Sequence, residues 1–304
     1  MDRLIIPGLR MVADVRAAAG GVSRRAVIGA GVIAFAGAST RPAQAIEPWE
    51  ILPPTPRLPP EQSRGTLAIN GANIWYAAFG SGDDVVMLHG GLAHSDYWGL
   101  QIAALAAGRR VLIIDSRGHG RSDNANRQPF SYRQMADDAI AVMDQLKIAH
   151  ASIVGWSDGA IVGLEMAMRF PERVDRLFAF AANYNPEGLR EVGDSAVFQT
   201  FIARAAGEYR ARSPTPDGFA ALRAGVERMW ATQPRYEESA LRRIQTPIQV
   251  VDGDHDEAIR PEHTRALAAL LPNARLLIEP DVSHFAFLQA PERFTAALKA
   301  FLAT

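Results

Sequence analysis

The sequence predicts the α/β class: a doubly wound, mostly parallel sheet interrupted by one helical insertion. Three observations carry this expectation. First, short apolar runs alternate with helix-period segments from about residue 65 onward. Second, Gly155-Trp156-Ser157-Asp158-Gly159 stands between an apolar run and a helix-like run, a strand, sharp turn and helix in succession. Third, residues 183–246 break the alternation and read as helices only. Such alternation favours parallel pairing, because each helix returns the chain to the starting edge of the sheet.

In order, strands are expected at Thr66 to Ile69, Ile74 to Phe79, Val85 to Leu88, Val111 to Ile114, Ser152 to Val154, Leu177 to Ala181, Ile248 to Val251 and Leu276 to Ile278. Helices are expected near Tyr132 to Leu146, Ala160 to Arg169, His263 to Leu271 and Arg293 to Leu302. In the last of these Phe294, Ala297, Leu298 and Phe301 fall on one face, as core positions do. Within the insertion, helical stretches are expected near Ala196 to Arg212, Phe219 to Trp230 and Tyr236 to Ile244.

The turn at Ser157 carries the chemistry. A serine hydroxyl is a weak nucleophile, so a sharp turn must project it where a base can reach it. Gly155 and Gly159 remove side chains that would collide where strand doubles back into helix. The helix start then offers free backbone N–H groups to a developing oxyanion. A bare G-x-S-x-G occurs by chance in ordinary turns; the flanking strand and helix distinguish this one.

Four segments, taken together, resemble the α/β-hydrolase superfamily, in the branch of small esterases, lactonases, cofactor-free haloperoxidases and C–C bond hydrolases. They are Leu88-His89-Gly90-Gly91, the run Asp115 to Ser122, the Ser157 elbow, and the paired loops Gly253 to Asp256 and Ser283-His284-Phe285. The resemblance implies an α/β-hydrolase fold whose insertion, about residues 183–246, forms a cap over the nucleophile. It also implies a chain order of serine, acid, histidine. His284, after the last expected strand, fits the base. Asp252, Asp254, Asp256 and Glu257 are all available as the acid; the family spacing from Gly253 points to Asp256, with Asp254 as the main competitor. The oxyanion donors implied are the N–H of Asp158 and an N–H of the 89–92 loop, Gly91. Serine at the elbow argues against the branches whose nucleophile is an aspartate.

Other residues carry weaker expectations. Trp156 beside the nucleophile, with Met229 and Trp230 in the insertion, are candidates for substrate contact, as are Phe198, Phe201 and Tyr209; the plain alternative is that they pack cap against sheet. The Asp158 carboxylate could steady the first helical turn through the helix dipole or bind a cationic amine on the substrate. His94, His150 and His263 have no motif around them, and His119 and His89 read as loop architecture. The 252–257 acidic run lacks the glycine and glutamate positions of a calcium loop, so neither metal nor cofactor is expected.

The 304-residue chain has 48% hydrophobic residues, no cysteine and a formal net charge of −1. Its basic residues are scattered, which excludes a polyanion-binding stripe, and the expected partner is a small acyl compound. Residues 1–45 resemble a twin-arginine export signal: Ser23-Arg24-Arg25, a 13-residue apolar stretch from Ala26 to Ala38, and a small-residue cleavage site at Ala43-Gln44-Ala45. That stretch is too short to span a bilayer, which takes about 20 residues. The expected mature chain therefore begins at Ile46, carries a net charge of −5, engages the export machinery only as a precursor, and is periplasmic or secreted without a stable membrane anchor. Residues 46–64, rich in proline, read as an extended tether. The function expected is a serine hydrolase acting on a carboxylic ester through an acyl-enzyme. Lactone, C–C or peroxide-dependent chemistry on the same triad is the alternative, and a ligand receptor with a vestigial triad is the reading of another class.

Overall fold

A computed structural model describes residues 46–304; the export-signal expectation lies outside them. Eight strands form one sheet: β1 (Ser63–Ile69), β2 (Ala72–Phe79), β3 (Asp83–Leu88), β4 (Arg109–Ile114), β5 (Ala151–Trp156), β6 (Val174–Phe180), β7 (Ile248–Gly253) and β8 (Ala274–Glu279). Their spatial order is β1-β2-β4-β3-β5-β6-β7-β8. β1 and β2 form an antiparallel hairpin, β2 is antiparallel to β4, and every other pair is parallel. The hairpin closes on Asn70-Gly71, both at positive φ, the two-residue turn whose twist suits a hairpin.

Nine helices accompany the sheet among the described residues: α1 (Gly99–Leu105), α2 (Tyr132–Gln145), α3 (Asp158–Arg169), α4 (Ala196–Arg212), α5 (Phe219–Thr232), α6 (Glu238–Leu241), α7 (Pro261–Leu270), α8 (Ala286–Gln289) and α9 (Pro291–Leu302). α2 packs on α3 and α1 on α9, so the apolar stripe of each helix is covered by the sheet and a neighbour. β5 is buried at every position, which is why Ala151 to Trp156 reads as continuous rather than alternating. All eight expected strands are present; α1 and α8, too short for a clear period, are not foreseen. Among the described residues no helix is long and apolar enough to cross a membrane.

The proline-rich segment before β1 differs from a free tether. It has one short helical turn, Pro48–Glu50, and is otherwise irregular to Gln62, yet it is fastened to the body. Gln289 donates to the carbonyls of Trp49 and Ile51 (3.1 and 2.9 Å), and Arg204 on α4 donates to those of Leu52 and Pro53. Leu52 and Leu58 pack on the core, and the Trp49 ring stacks on His255 at 3.7 Å. Prolines prevent this strand-like run from pairing with the sheet, and their fixed φ lowers the entropy cost of laying it down.

Candidate active site

The parallel order brings the carboxyl ends of β5, β7 and β8 to one edge, and the loops leaving those ends hold Ser157, Asp256 and His284. Ser157 has φ 54° and ψ −119°, a region that a residue with a side chain occupies only at a cost of about 1–3 kcal/mol. The turn holds because its glycines allow close approach: a Cβ on Gly155 would run into the backbone of Gly159 and Ala160, and one on Gly159 into the Leu88 and His89 carbonyls. The Ser157 N–H donates to the Phe180 carbonyl at 2.8 Å, pinning the turn to β6.

His284 Nδ1 lies 2.7 Å from Asp256 Oδ2, both buried. A carboxylate can only accept, so Nδ1 carries the proton and Nε2 is left with a lone pair. Asp256 Oδ1 accepts from the N–H groups of Ala258 and Ile259, each at 2.7 Å, which fixes the carboxylate plane. Burial alone would raise the Asp256 pKa; His284, Asp252 and the Ile259 N–H hold it below the ordinary value. Burial alone would lower His284, but Asp256 first, then Glu257 and Asp158, hold it above 6.5. The His284 ring is 5.9 Å from the Trp156 ring and 5.3 Å from that of Phe198. Ser157 makes no side-chain capping hydrogen bond to α3, so its hydroxyl is not tied to the helix it precedes.

The other acids take distinct places. Asp254 is at the surface, where Asp254, His255 and Asp281 present ligand atoms within 4.8 Å of one another. Glu257 accepts from the His284 N–H at 3.2 Å. Asp252 is buried, accepts from Thr264 Oγ1 and the Gly253 N–H, and is pushed well above the carboxylate range by burial and by the charge of Asp256.

Gly91 and Asp158 face each other. A Cβ on Gly91 would sit 2.5 Å from both Asp158 Oδ2 and Trp230 Cζ2, so only glycine fits. Among the described residues the Gly91 N–H donates to nothing, and Asp158 opens α3, where an N–H has no intrahelical partner. His89 holds the loop: Nδ1 donates to the Gly90 carbonyl (2.8 Å) and Nε2 accepts from the Ser116 N–H (2.9 Å), a neutral arrangement favoured by its buried position, which lowers its pKa.

The Asp158 side chain neither caps its own helix nor faces solvent. Oδ1 accepts from Tyr132 Oη (2.9 Å), and both oxygens accept from Trp230 Nε1 (2.8 and 3.1 Å). Burial raises its pKa to about 6 against the pull of these two donors. Trp230 thus meets the elbow from α5, while Tyr132 was not singled out in the sequence, whose only signal is its place one residue after the Ser131 cap of α2. Trp156 corrects an expectation: only 1% exposed, it lies among Tyr97, Phe201, Phe285 and Phe287, beneath Gly90, as packing and not as pocket wall. Met229 is buried at 2% but lines a cleft beside Phe130. His94, which has no motif around it in the sequence, is buried and joins Glu208 of α4 at 3.1 Å.

Sheet order, elbow and the paired loops define a class, and the chain belongs to it: residues 85–297 match the model of the alpha/beta hydrolase family. It is 25% identical over 265 residues to a pimeloyl-[acyl-carrier protein] methyl ester esterase of Nitrosospira multiformis, covering 75% of this chain and 98% of that one. It is 27% identical over 249 residues to a 2-hydroxymuconate semialdehyde hydrolase of a Pseudomonas species, covering 74% and 88%. Among solved structures, the fold superposes on the enol-lactonase of Burkholderia xenovorans with a TM-score of 0.64 at 24% identity, covering 79% of this chain and all of that one. The chain is an enzyme of the α/β-hydrolase family.

Proposed function

We propose that the protein is a serine hydrolase that cleaves a carboxylic ester or related acyl compound through an acyl-enzyme, with Ser157 as nucleophile, His284 as base and Asp256 as its orienting acid. The observation that supports it most is the positive-φ serine leaving the carboxyl end of β5 on the same side of the sheet as a buried carboxylate–histidine pair, which leaves β7 and β8, two and three strands away. His284 Nε2 takes the Ser157 proton as Oγ bonds to the acyl carbon, and the imidazolium is stabilised by Asp256. The carbonyl electron pair moves onto oxygen, which the Gly91 and Asp158 N–H groups receive. Collapse expels the leaving group, which takes the proton from His284, and water then repeats the sequence to release the acid.

The similar proteins include a methyl ester esterase and a 2-hydroxymuconate semialdehyde hydrolase, so the substrates to compare differ in the bond cleaved. Side-by-side turnover of short activated esters, lactones and vinylogous 1,5-diketones decides it. Stoichiometric labelling of Ser157 by a fluorophosphonate, lost in His284→Ala, is expected; tight ligand binding without labelling would favour a receptor. The export reading rests on Ser23-Arg24-Arg25 and Ala43-Gln44-Ala45. Changing both arginines to lysine should hold the precursor in the cytoplasm, and the exported form should start at Ile46, retaining the segment that Gln289 and Arg204 fasten.

A further inference from the structure

A cleft of about 1090 Å³ lies between the loop that precedes α2 and helix α5. None of Ser157, Asp256 and His284 lines it. Its walls are largely apolar, from Phe130, Leu222, Met229 and Pro129, and two guanidinium groups, Arg127 and Arg228, stand at it. Phe130 reaches the helix because Gly225 has no side chain; a Cβ there would be 2.7 Å from the ring.

The charge in the cleft is unbalanced. Among the described residues, neither Arg127 nor Arg228 is within ion-pairing distance of a carboxylate, and neither guanidinium donates a hydrogen bond, whereas Arg223, one turn earlier on α5, is paired with Glu227 at 2.7 Å. The one acid lining the cleft, Asp123, is committed elsewhere: Oδ1 accepts from the Asn73 N–H (2.8 Å) and Oδ2 from Asn73 Nδ2 (2.7 Å). A volume of this size suits a small organic molecule, and apolar walls with a few polar groups are what such sites present. Guanidinium groups match a carboxylate in shape and charge.

We infer that this cleft binds an amphipathic carboxylate, with its head group between Arg127 and Arg228 and its hydrocarbon on Phe130, Leu222 and Met229, at a site distinct from the catalytic serine. The two features act on different parts of one ligand: the apolar wall supplies affinity by burying methylenes, and the guanidiniums select the anion.

Calorimetric titration with decanoate and with decanol tests this. The wild-type chain should bind decanoate saturably, and Arg127→Gln/Arg228→Gln should bind it about tenfold more weakly or worse while binding decanol unchanged. Ala221→Trp, an exposed position on the cleft wall, should fill the space and weaken both ligands. All three sites are exposed, and circular dichroism melting confirms that each variant is folded. No saturable decanoate binding, decanoate binding indifferent to the double arginine change, or binding indifferent to Ala221→Trp would each overturn the assignment.

Discussion

The sheet edge and the cap contribute to the site in different ways. The edge supplies Ser157, Asp256 and His284 from loops held by strand pairing, backbone hydrogen bonds and a dense aromatic layer around Trp156. The cap reaches the same region through side chains, apolar and polar: Phe198 and Phe201 of α4 pack on His284, Trp156 and Phe285. Trp230 bonds Asp158, Glu208 bonds His94, and Arg212 pairs with Asp96 at 3.2 Å. Strand pairing and backbone hydrogen bonds hold the edge loops, whereas the cap meets them mainly through side chains, which can be exchanged without disturbing the sheet. Substitutions at the edge should therefore abolish chemistry, and those in the cap should alter binding or its pH response.

The largest effect expected is at the nucleophile: Ser157→Ala should lower kcat on an activated short-chain ester by at least about 10⁴-fold with an unchanged melting temperature. Near-normal turnover in folded protein would remove Ser157 from the mechanism. Next, Asp256→Asn should cost on the order of 10³–10⁴ in kcat, because the histidine loses its oriented tautomer, whereas Asp254→Asn at the surface should stay within a few-fold. The reverse ranking would move the acid to Asp254.

In the cap, Trp230→Phe removes an indole donor from a buried carboxylate and should weaken activity about tenfold, with more of the change in KM than an edge substitution shows. Asp158→Asn keeps an acceptor for both donors. Compared on matched neutral and amino-substituted esters, it should lower both alike if the carboxylate only ties elbow to cap; a selective loss on the amino ester would show a cation subsite.

The smallest effect is in pH. In the proposed mechanism His284 must be neutral to accept the serine proton, and despite burial Asp256 holds its pKa above 6.5, so the acid limb of kcat/KM should lie on the alkaline side of that value. For stability the sign at Asp158 is opposite to that of a salt-bridged acid. Its folded pKa of about 6 exceeds the usual carboxylate value, so this group favours folding at low pH and loses that contribution as pH rises from about 4 through 6. Melting curves of Asp158→Asn should lack this part of the slope.

Much of this was legible in the chain, because the signals are local. Strand and helix periods follow from which residues can be buried on one face, and the Ser157 turn is encoded within five residues by two glycines that a Cβ would forbid. Family spacing points to Asp256 as the acid, and the contacts that distinguish the two residues are long-range: Asp256 meets His284, whereas Asp254 stands at the surface beside His255 and Asp281. Trp156 shows the limit in the other direction: adjacency to the nucleophile suggests contact with substrate, but both faces of β5 are covered, and Tyr97, Phe201, Phe285 and Phe287, distant in the chain, enclose the ring.

By itself, the sequence determined the alternating architecture, the elbow and the identity of the residues on its loops, since each depends on neighbours within a few positions. Only the tertiary structure decided that Tyr132 and Trp230, 26 and 72 residues from Asp158, converge on its carboxylate, and that the proline-rich segment is strapped to Gln289 and Arg204. Those contacts join elements far apart in the chain, and no periodicity or local motif records which side chains long-range packing brings together.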